Sequence, residues 1–342
     1  MRRDTRRQPE SRGLRALVAA LVAAAGLCAT VLLAPGAHDL VTAGDPTPAV
    51  SGDAHGRHAG SSPRATSWEH GSTFDQLREI QLRVHDTLRH ALVYRPEGAQ
   101  PSASAFVVVH GLSGNPAKTA RSTAFLRMAQ QHGWVVAFPQ GRAYNGGVRA
   151  WNAGSCCGGA PRAHTDDVQF LAKVAATLVD RYQVNANRVF YTGFSNGAML
   201  GYRIACQEHQ PFAGFAVLSG TLVSRCAETS GAPLLAINGV RDRTVPFAGS
   251  RWDAHLRTRL MPVTHAVRLV ATRNGCRQLA RRPAADRRLR TLAATGCPSG
   301  GSVQLVTVRG LGHAWAERAN RFGIDETRYA ARWLTAHAGP PA

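Results

Sequence analysis

Short, uninterrupted apolar runs punctuate this chain. Phe106-Val107-Val108-Val109, Trp134-Val135-Val136-Ala137-Phe138, Phe215-Ala216-Val217-Leu218 and Leu234-Leu235-Ala236-Ile237 contain no polar position, the pattern of strands covered on both faces. Arg188-Val189-Phe190-Tyr191-Thr192 and Val303-Gln304-Leu305-Val306-Thr307-Val308 read as two further strands. Leu82-Arg83-Val84 and Ala91-Leu92-Val93-Tyr94 read as an early pair, ended by Pro96. Between them the period changes. Val168, Phe170, Leu171, Val174, Ala175 and Leu178 recur at helical spacing behind Thr165-Asp166-Asp167. That is an N-cap with acids in the first turn, which assigns Asp166 and Asp167 to capping rather than to chemistry. Other helices are predicted over 122–131, stopped by Gly133, over 198–206 and over 327–337. Buried strands alternating with helices predict an α/β fold, a mostly parallel central sheet covered by helices on both faces.

The pattern is different at the start of the chain. Residues 16–34 carry no charge and follow an arginine-rich stretch, the n-region and h-region of an export signal. Residues 1–43 are therefore read as a signal peptide or an uncleaved N-terminal anchor; both put the remainder outside the cytoplasm, in an extracellular or periplasmic setting. Residues 44–72, rich in Gly, Pro, Ser, Ala and His without a period, read as a flexible linker, leaving 73–342 for one α/β domain.

Seven cysteines occur, and setting aside Cys28 in the apolar run leaves six. An even number in an exported chain suggests disulfides. Cys276 and Cys297 bracket a charged, Pro-containing insertion and are expected to pair; Cys206 with Cys226 is the second expected pair. The adjacent Cys156 and Cys157 are left open, because a bridge between neighbours needs a distorted peptide. No CxxC pair and no histidine at ligand spacing accompany them, so no metal is expected. The formal net charge is +20, yet lysine occurs only at Lys118 and Lys173. The arginines are scattered and no nucleic-acid-binding motif accompanies them, so they read as a solvated surface and no specific nucleic-acid partner is expected.

Candidate chemistry centres on Gly193-Phe194-Ser195-Asn196-Gly197, a G-x-S-x-G pattern that directly follows a strand and opens a helix. That context makes it a nucleophile elbow, a sharp turn that exposes the serine hydroxyl. A serine needs a base, and the base an orienting acid, here in the chain order Ser, Asp or Glu, His. His313, among glycines just after the last strand, is the candidate base. Asp242, after the Leu234–Ile237 run, is the candidate acid, with Asp253, in what reads as a helical stretch, as the second choice. The developing oxyanion needs fixed N–H donors, for which Leu112, after His110-Gly111, and Asn196 are the natural pair. His110 itself is assigned to shaping its loop.

These motifs, in order, resemble the α/β-hydrolase esterases related to polyhydroxybutyrate depolymerases and feruloyl esterases (carbohydrate esterase family 1, LpqC-type) from about Arg89 onward. The match rests on His110-Gly111, Trp151-Asn152-Ala153-Gly154 with Cys156-Cys157-Gly158, Asp166-Asp167-Val168, the stretch from Arg188 to Met199, Gly239 with Asp242, Val245 and Pro246, and Gly312-His313-Ala314-Trp315. The chain departs from the group where Asn238 replaces a histidine before the acid-loop glycine, and at Leu311 and Ala316 in the histidine loop. The resemblance implies a serine ester hydrolase that needs no cofactor, acting through an acyl-enzyme on short hydroxyacyl esters or on feruloyl or acetyl polysaccharide esters, with 73–342 as the catalytic domain. Trp151, Phe194 and Trp315 are the candidate substrate-binding rings at the carboxyl ends of the strands. The expected partner is a polymeric or small ester; a membrane is involved only through the N-terminal segment. A peptidase of the same fold and a non-catalytic polyanion-binding envelope protein are the alternatives.

Overall fold

Ile80, Leu82 and Val84 alternate with polar residues, and Arg89, Ala91 and Val93 are buried at alternate positions, so each strand of the opening hairpin turns one face inward. These strands, β1 (Arg78–Val84) and β2 (Thr87–Tyr94), pair antiparallel and begin earlier than the two predicted runs. The computed structural model describes residues 73–298, 301–317 and 319–337; the predicted leader or anchor (1–43) and linker (44–72) lie outside them.

The apolar runs then build the sheet. β3 (Ala105–Val109), β4 (Val135–Pro139), β7 (Val189–Phe194), β8 (Gly214–Leu218), β9 (Leu234–Gly239) and β14 (Val303–Val308) lie parallel. Two short hairpins intervene, β5 (Arg142–Ala143) with β6 (Arg149–Ala150), and β10 (Ser250–Asp253) with β11 (Thr258–Leu260). A last antiparallel pair, β12 (Gln278–Arg282) and β13 (Leu289–Thr295), extends the sheet beyond β14. The order is β1-β2-β4-β3-β7-β8-β9-β14-β13-β12.

Alternate strand residues feed opposite sides. Val107, Tyr191 and Val217 pack on one face under α3 (Asp167–Tyr182), α4 (Asn196–Ala205) and α5 (Val263–Arg273). Phe106, Phe190 and Leu218 pack on the other, under α1 (Pro116–Ser122), α2 (Phe125–His132) and α6 (Glu326–His337). This is the predicted α/β architecture, with the parallel strands dry on both sides.

Three local expectations are corrected. The helix predicted over 122–131 is α2, which starts three residues later at Phe125, and a separate helix, α1, precedes it where none was predicted. Asn115 caps α1 by accepting from the Lys118 N–H at 2.8 Å, Pro116 opens it, and the chain turns extended at Thr123 before α2. Asp253 closes strand β10 rather than sitting in a helix, and its Oδ1 accepts from the Leu256 N–H at 2.7 Å. Of the two aspartates assigned to capping, only Asp166 caps α3, accepting from the Gln169 N–H at 3.0 Å. Asp167 is fully buried in an ion pair with Arg89 at 2.7 Å.

Cys206–Cys226 and Cys276–Cys297 are both bridged, as is Cys156–Cys157, across a cis peptide bond. The Cys276–Cys297 bridge ties off the β12–β13 hairpin at its base and is worth about 3 kcal/mol in the chain-entropy account for a loop of this length.

Candidate active site

The turn from β7 into α4 is possible only because its flanking residues lack side chains. A Cβ on Gly193 would lie 2.5 Å from the Gly197 carbonyl, and one on Gly197 2.6 Å from those of His110 and Val109. Ser195 sits between them at φ 55°, ψ −118°, held by its N–H on Leu218 and its carbonyl on the Met199 N–H. No residue with a Cβ adopts that backbone freely. The strain aims Oγ away from the helix and toward the histidine loop.

His313 arrives there from β14. Its Nε2 lies 2.9 Å from Ser195 Oγ and its Nδ1 2.7 Å from Asp242 Oδ2. Asp242 follows β9, the neighbour of β14, and its side chain is wholly shielded from solvent. Its second oxygen accepts the N–H groups of Thr244 and Val245, both at 2.8 Å, which fixes the carboxylate plane. The acid and base candidates thus stand on adjacent strands. Asn238, where a histidine was expected, is buried and donates to the Gly220 carbonyl at 3.0 Å, bracing the acid strand against the segment beside the elbow.

The N–H groups of Leu112 and Asn196 donate to no acceptor among the described residues. They flank Ser195 from two directions, β3's loop and α4's first turn, where four N–H groups lack helical partners. The Leu112 loop is set by His110. This buried ring donates from Nδ1 to the Gly111 carbonyl at 2.7 Å and accepts at Nε2 from the Gly141 N–H at 3.0 Å. Burial holds its pKa down at about 4, so the ring stays neutral.

Of the three candidate substrate-binding rings, Trp151 is corrected. It is completely buried, stacked on Phe170, packed against His110, and donating from Nε1 to the His110 carbonyl at 2.8 Å. It offers no surface to a ligand. The Asn196 side chain clamps its backbone, Oδ1 accepting from the Trp151 N–H at 2.8 Å and Nδ2 donating to its carbonyl at 3.0 Å. Phe194 and Trp315 keep partly open faces, with Phe194 between the rings of His313 (5.0 Å) and Trp315 (6.1 Å). Trp252, on the β10–β11 hairpin, is 62% exposed and was not singled out from the sequence.

Below this layer lies a truss that the sequence reading missed. Asp167 accepts from Arg89 and from the Asn152 N–H, each at 2.7 Å; Arg203 donates to the Asn152 carbonyl at 2.6 Å; Arg89 also lies over the Phe170 ring at 4.1 Å. Burial raises the Asp167 carboxyl above its usual range despite Arg89. A signal was available. Arg89 falls on the inward face of β2 with Ala91 and Val93, and an inward charge requires a buried partner.

A second missed group backs the histidine loop. Glu326 is fully buried, accepts from the Ala316 N–H at 2.6 Å, and leaves Oε1 without a partner among the described residues. Nearby, Trp315 donates to Thr327, which donates to Glu317. Burial, aided by Glu317 and Asp325, raises the Glu326 pKa from 4.5 to about 8. A carboxyl raised in this way holds a proton that the unfolded chain has released. Its stabilising contribution is therefore complete below about pH 4.5 and is lost as pH rises through about 8. Glu326→Gln, which keeps the shape without the charge, should raise the melting temperature at pH 8 and leave it nearly unchanged at pH 4, an effect on the order of a few kcal/mol at most. Calorimetry across that range checks it; equal pH slopes for both proteins would refute this account.

A buried Asp–His–Ser relay at the carboxyl ends of parallel strands, with the serine on a strand–turn–helix elbow, defines the α/β-hydrolase class. Comparison with known proteins agrees. The family model described as "Esterase PHB depolymerase" matches residues 88–270, more than half of the sequence, and the chain belongs to that family. It is 25% identical over 156 residues to the bifunctional acetylxylan esterase/xylanase XynS20E of Neocallimastix patriciarum, covering 45% of this chain and 22% of that protein. It is 34% identical over 86 residues to feruloyl esterase C of Emericella nidulans, covering 25% of this chain and 32% of the relative. The chain thus spans less than a third of the length of either relative. Among solved structures, the acetyl xylan esterase from Aspergillus awamori superposes with a TM-score of 0.54 at 14% identity, covering 75% of this chain and 99% of that one, a likeness of fold.

Proposed function

We propose that the protein is an exported serine ester hydrolase. The observation that carries this reading is the continuous chain from Asp242 through His313 to Ser195 Oγ, beside two unengaged N–H groups. His313 Nε2 takes the Ser195 proton as Oγ attacks the ester carbonyl, while Asp242 holds the imidazole by Nδ1–H and steadies the imidazolium. The Leu112 and Asn196 N–H groups receive the oxyanion. Collapse breaks the ester C–O bond, and His313 protonates the departing alcohol. Water, deprotonated by the same nitrogen, then releases the acid and restores Ser195.

Short acyl groups fit best. Phe194 and Trp315 offer a small aromatic surface beside His313, suited to a hydroxyacyl, acetyl or hydroxycinnamoyl group. Family membership and the acetylxylan and feruloyl esterase relatives support the same classes. Among the described residues no helix is long and apolar enough to cross a membrane, and three disulfides support work outside the reducing cytoplasm. The test is a rate comparison on a hydroxybutyrate oligomer, an acetylated xylan, methyl ferulate and an emulsified long-chain triglyceride. Turnover of one or more of the first three, well above the triglyceride, is expected. Preference for the triglyceride overturns the substrate class, and turnover of peptides with no ester hydrolysis overturns the reaction.

A further inference from the structure

The two strands beyond β14 carry a charge pattern that the sheet itself does not require. Arg281 on β12, Arg290 on β13 and Arg309 just past β14 converge with Arg287 and Arg288 on one cleft of about 580 Å³. Strand register explains the convergence. Arg281 stands opposite Leu292, and Arg290 opposite Thr307, so alternate positions of three strands share one face. Leu292 and Phe247 supply apolar lining, and no acidic residue lines the cleft. Arg288 is engaged by Asp286 at 2.5 Å. Arg281, Arg287, Arg290 and Arg309 are exposed, and none forms an ion pair among the described residues.

Guanidinium groups gathered in a concave site repel one another and concentrate anions there. Their planar forks match carboxylates two bonds at a time. The hairpin presenting four of the five is closed by the Cys276–Cys297 bridge, so the strands that carry them are paired in register before any ligand arrives. The cleft also adjoins the proposed chemistry. Val240 lines it and precedes Asp242 by two residues, while Arg309 precedes His313 by four. All five arginines lie beyond residue 270, outside the stretch that the family model matches.

We propose that this cleft binds a carboxylate carried by the ester substrate itself. Two sources share that chemistry, the uronate groups of an acylated polysaccharide and the free acid end of a hydroxyacid oligomer, in which every cut leaves a new carboxylate. The assignment rests on the ester-hydrolase reading above. Position makes the substrate the source of that carboxylate, because Val240, which lines the cleft, lies two residues before the proposed acid Asp242.

The test compares matched pairs on the wild type and on the triple variant Arg281→Gln/Arg290→Gln/Arg309→Gln, which leaves the Arg288–Asp286 pair and the triad untouched. One pair is a hydroxybutyrate trimer as free acid and as methyl ester; the other is an acetylated polygalacturonate and an acetylated neutral xylan. The triple variant should raise KM about tenfold or more for the charged member of one pair, as expected for loss of charge-assisted bonds, with kcat and the neutral member nearly unchanged. The affected pair identifies the source. Equal changes in both members, or none, overturn the proposal while the ester-hydrolase reading stands. If the wild type hydrolyses no ester, that reading falls separately, and the cleft is judged by calorimetric titration of the Ser195→Ala protein with the trimer acid and with oligogalacturonate. Saturable binding that is lost when Arg281→Gln, Arg290→Gln and Arg309→Gln are added to Ser195→Ala supports it; absent binding, or equal affinity for a DNA oligomer, overturns it.

Discussion

Ser195→Ala is expected to remove ester turnover, by roughly 10⁶-fold in kcat if the triad acts as a unit, while the protein remains folded. The structure separates the two effects. The bonds that hold the elbow, Ser195 N–H to the Leu218 carbonyl and Met199 N–H to the Ser195 carbonyl, use backbone atoms only, and among the described residues the side chain's one hydrogen-bond partner is His313. An unchanged melting temperature beside vanished activity is the expected pairing. A fluorophosphonate should modify Ser195 in the wild type, and mass mapping should find the adduct there. An active alanine variant, or labelling at another residue, would remove Ser195 from the mechanism.

Asp242→Asn should lower kcat by about 10⁴, the scale seen when a triad acid becomes an amide and the histidine is left in the wrong tautomer. Oδ1 of Asp242 takes two backbone N–H groups, so an asparagine is driven to keep its carbonyl oxygen there and turn its NH₂ toward His313. Nδ1 must then accept, its proton moves to Nε2, and the nitrogen facing Ser195 can no longer take a proton. Asp253→Asn is the control. That carboxylate caps a turn in the β10–β11 hairpin, and its loss should leave the rate near wild type. The reverse outcome would reassign the acid.

What the sequence disclosed and what it hid follow from one physical distinction. Strands dry on both faces are written as apolar runs, so the parallel sheet could be read directly, and the elbow announced itself because close approach allows only glycine on either side of Ser195. Chain order then pointed to His313 and Asp242 as the candidate base and acid. The β12–β13 hairpin escaped notice because Gln278–Arg282 and Leu289–Thr295 mix arginines and alanines at half-exposed positions, which carry no clear period of two. α5 was missed as well, since its arginines and threonines interrupt the apolar stripe. Trp151 was misjudged for a different reason. A motif places a residue near the carboxyl ends of the strands, but whether its ring faces the cleft or the core depends on His110 and Phe170, which come from distant parts of the chain.

The proposed acid and base are 71 residues apart in sequence, yet they rise from paired neighbouring strands in which Gly239 stands opposite Val308. Their geometry is therefore independent of the length and content of the hairpin inserted between them. Its exposed turn around Pro283 lies inside the Cys276–Cys297 loop, so a protease cut there would leave two fragments still joined by sulfur, with the relay intact. The same turn is a place to open the chain for circular permutation. The segment from Arg277 to Gly296 could be exchanged as a cassette without displacing the paired strands that carry Asp242 and His313.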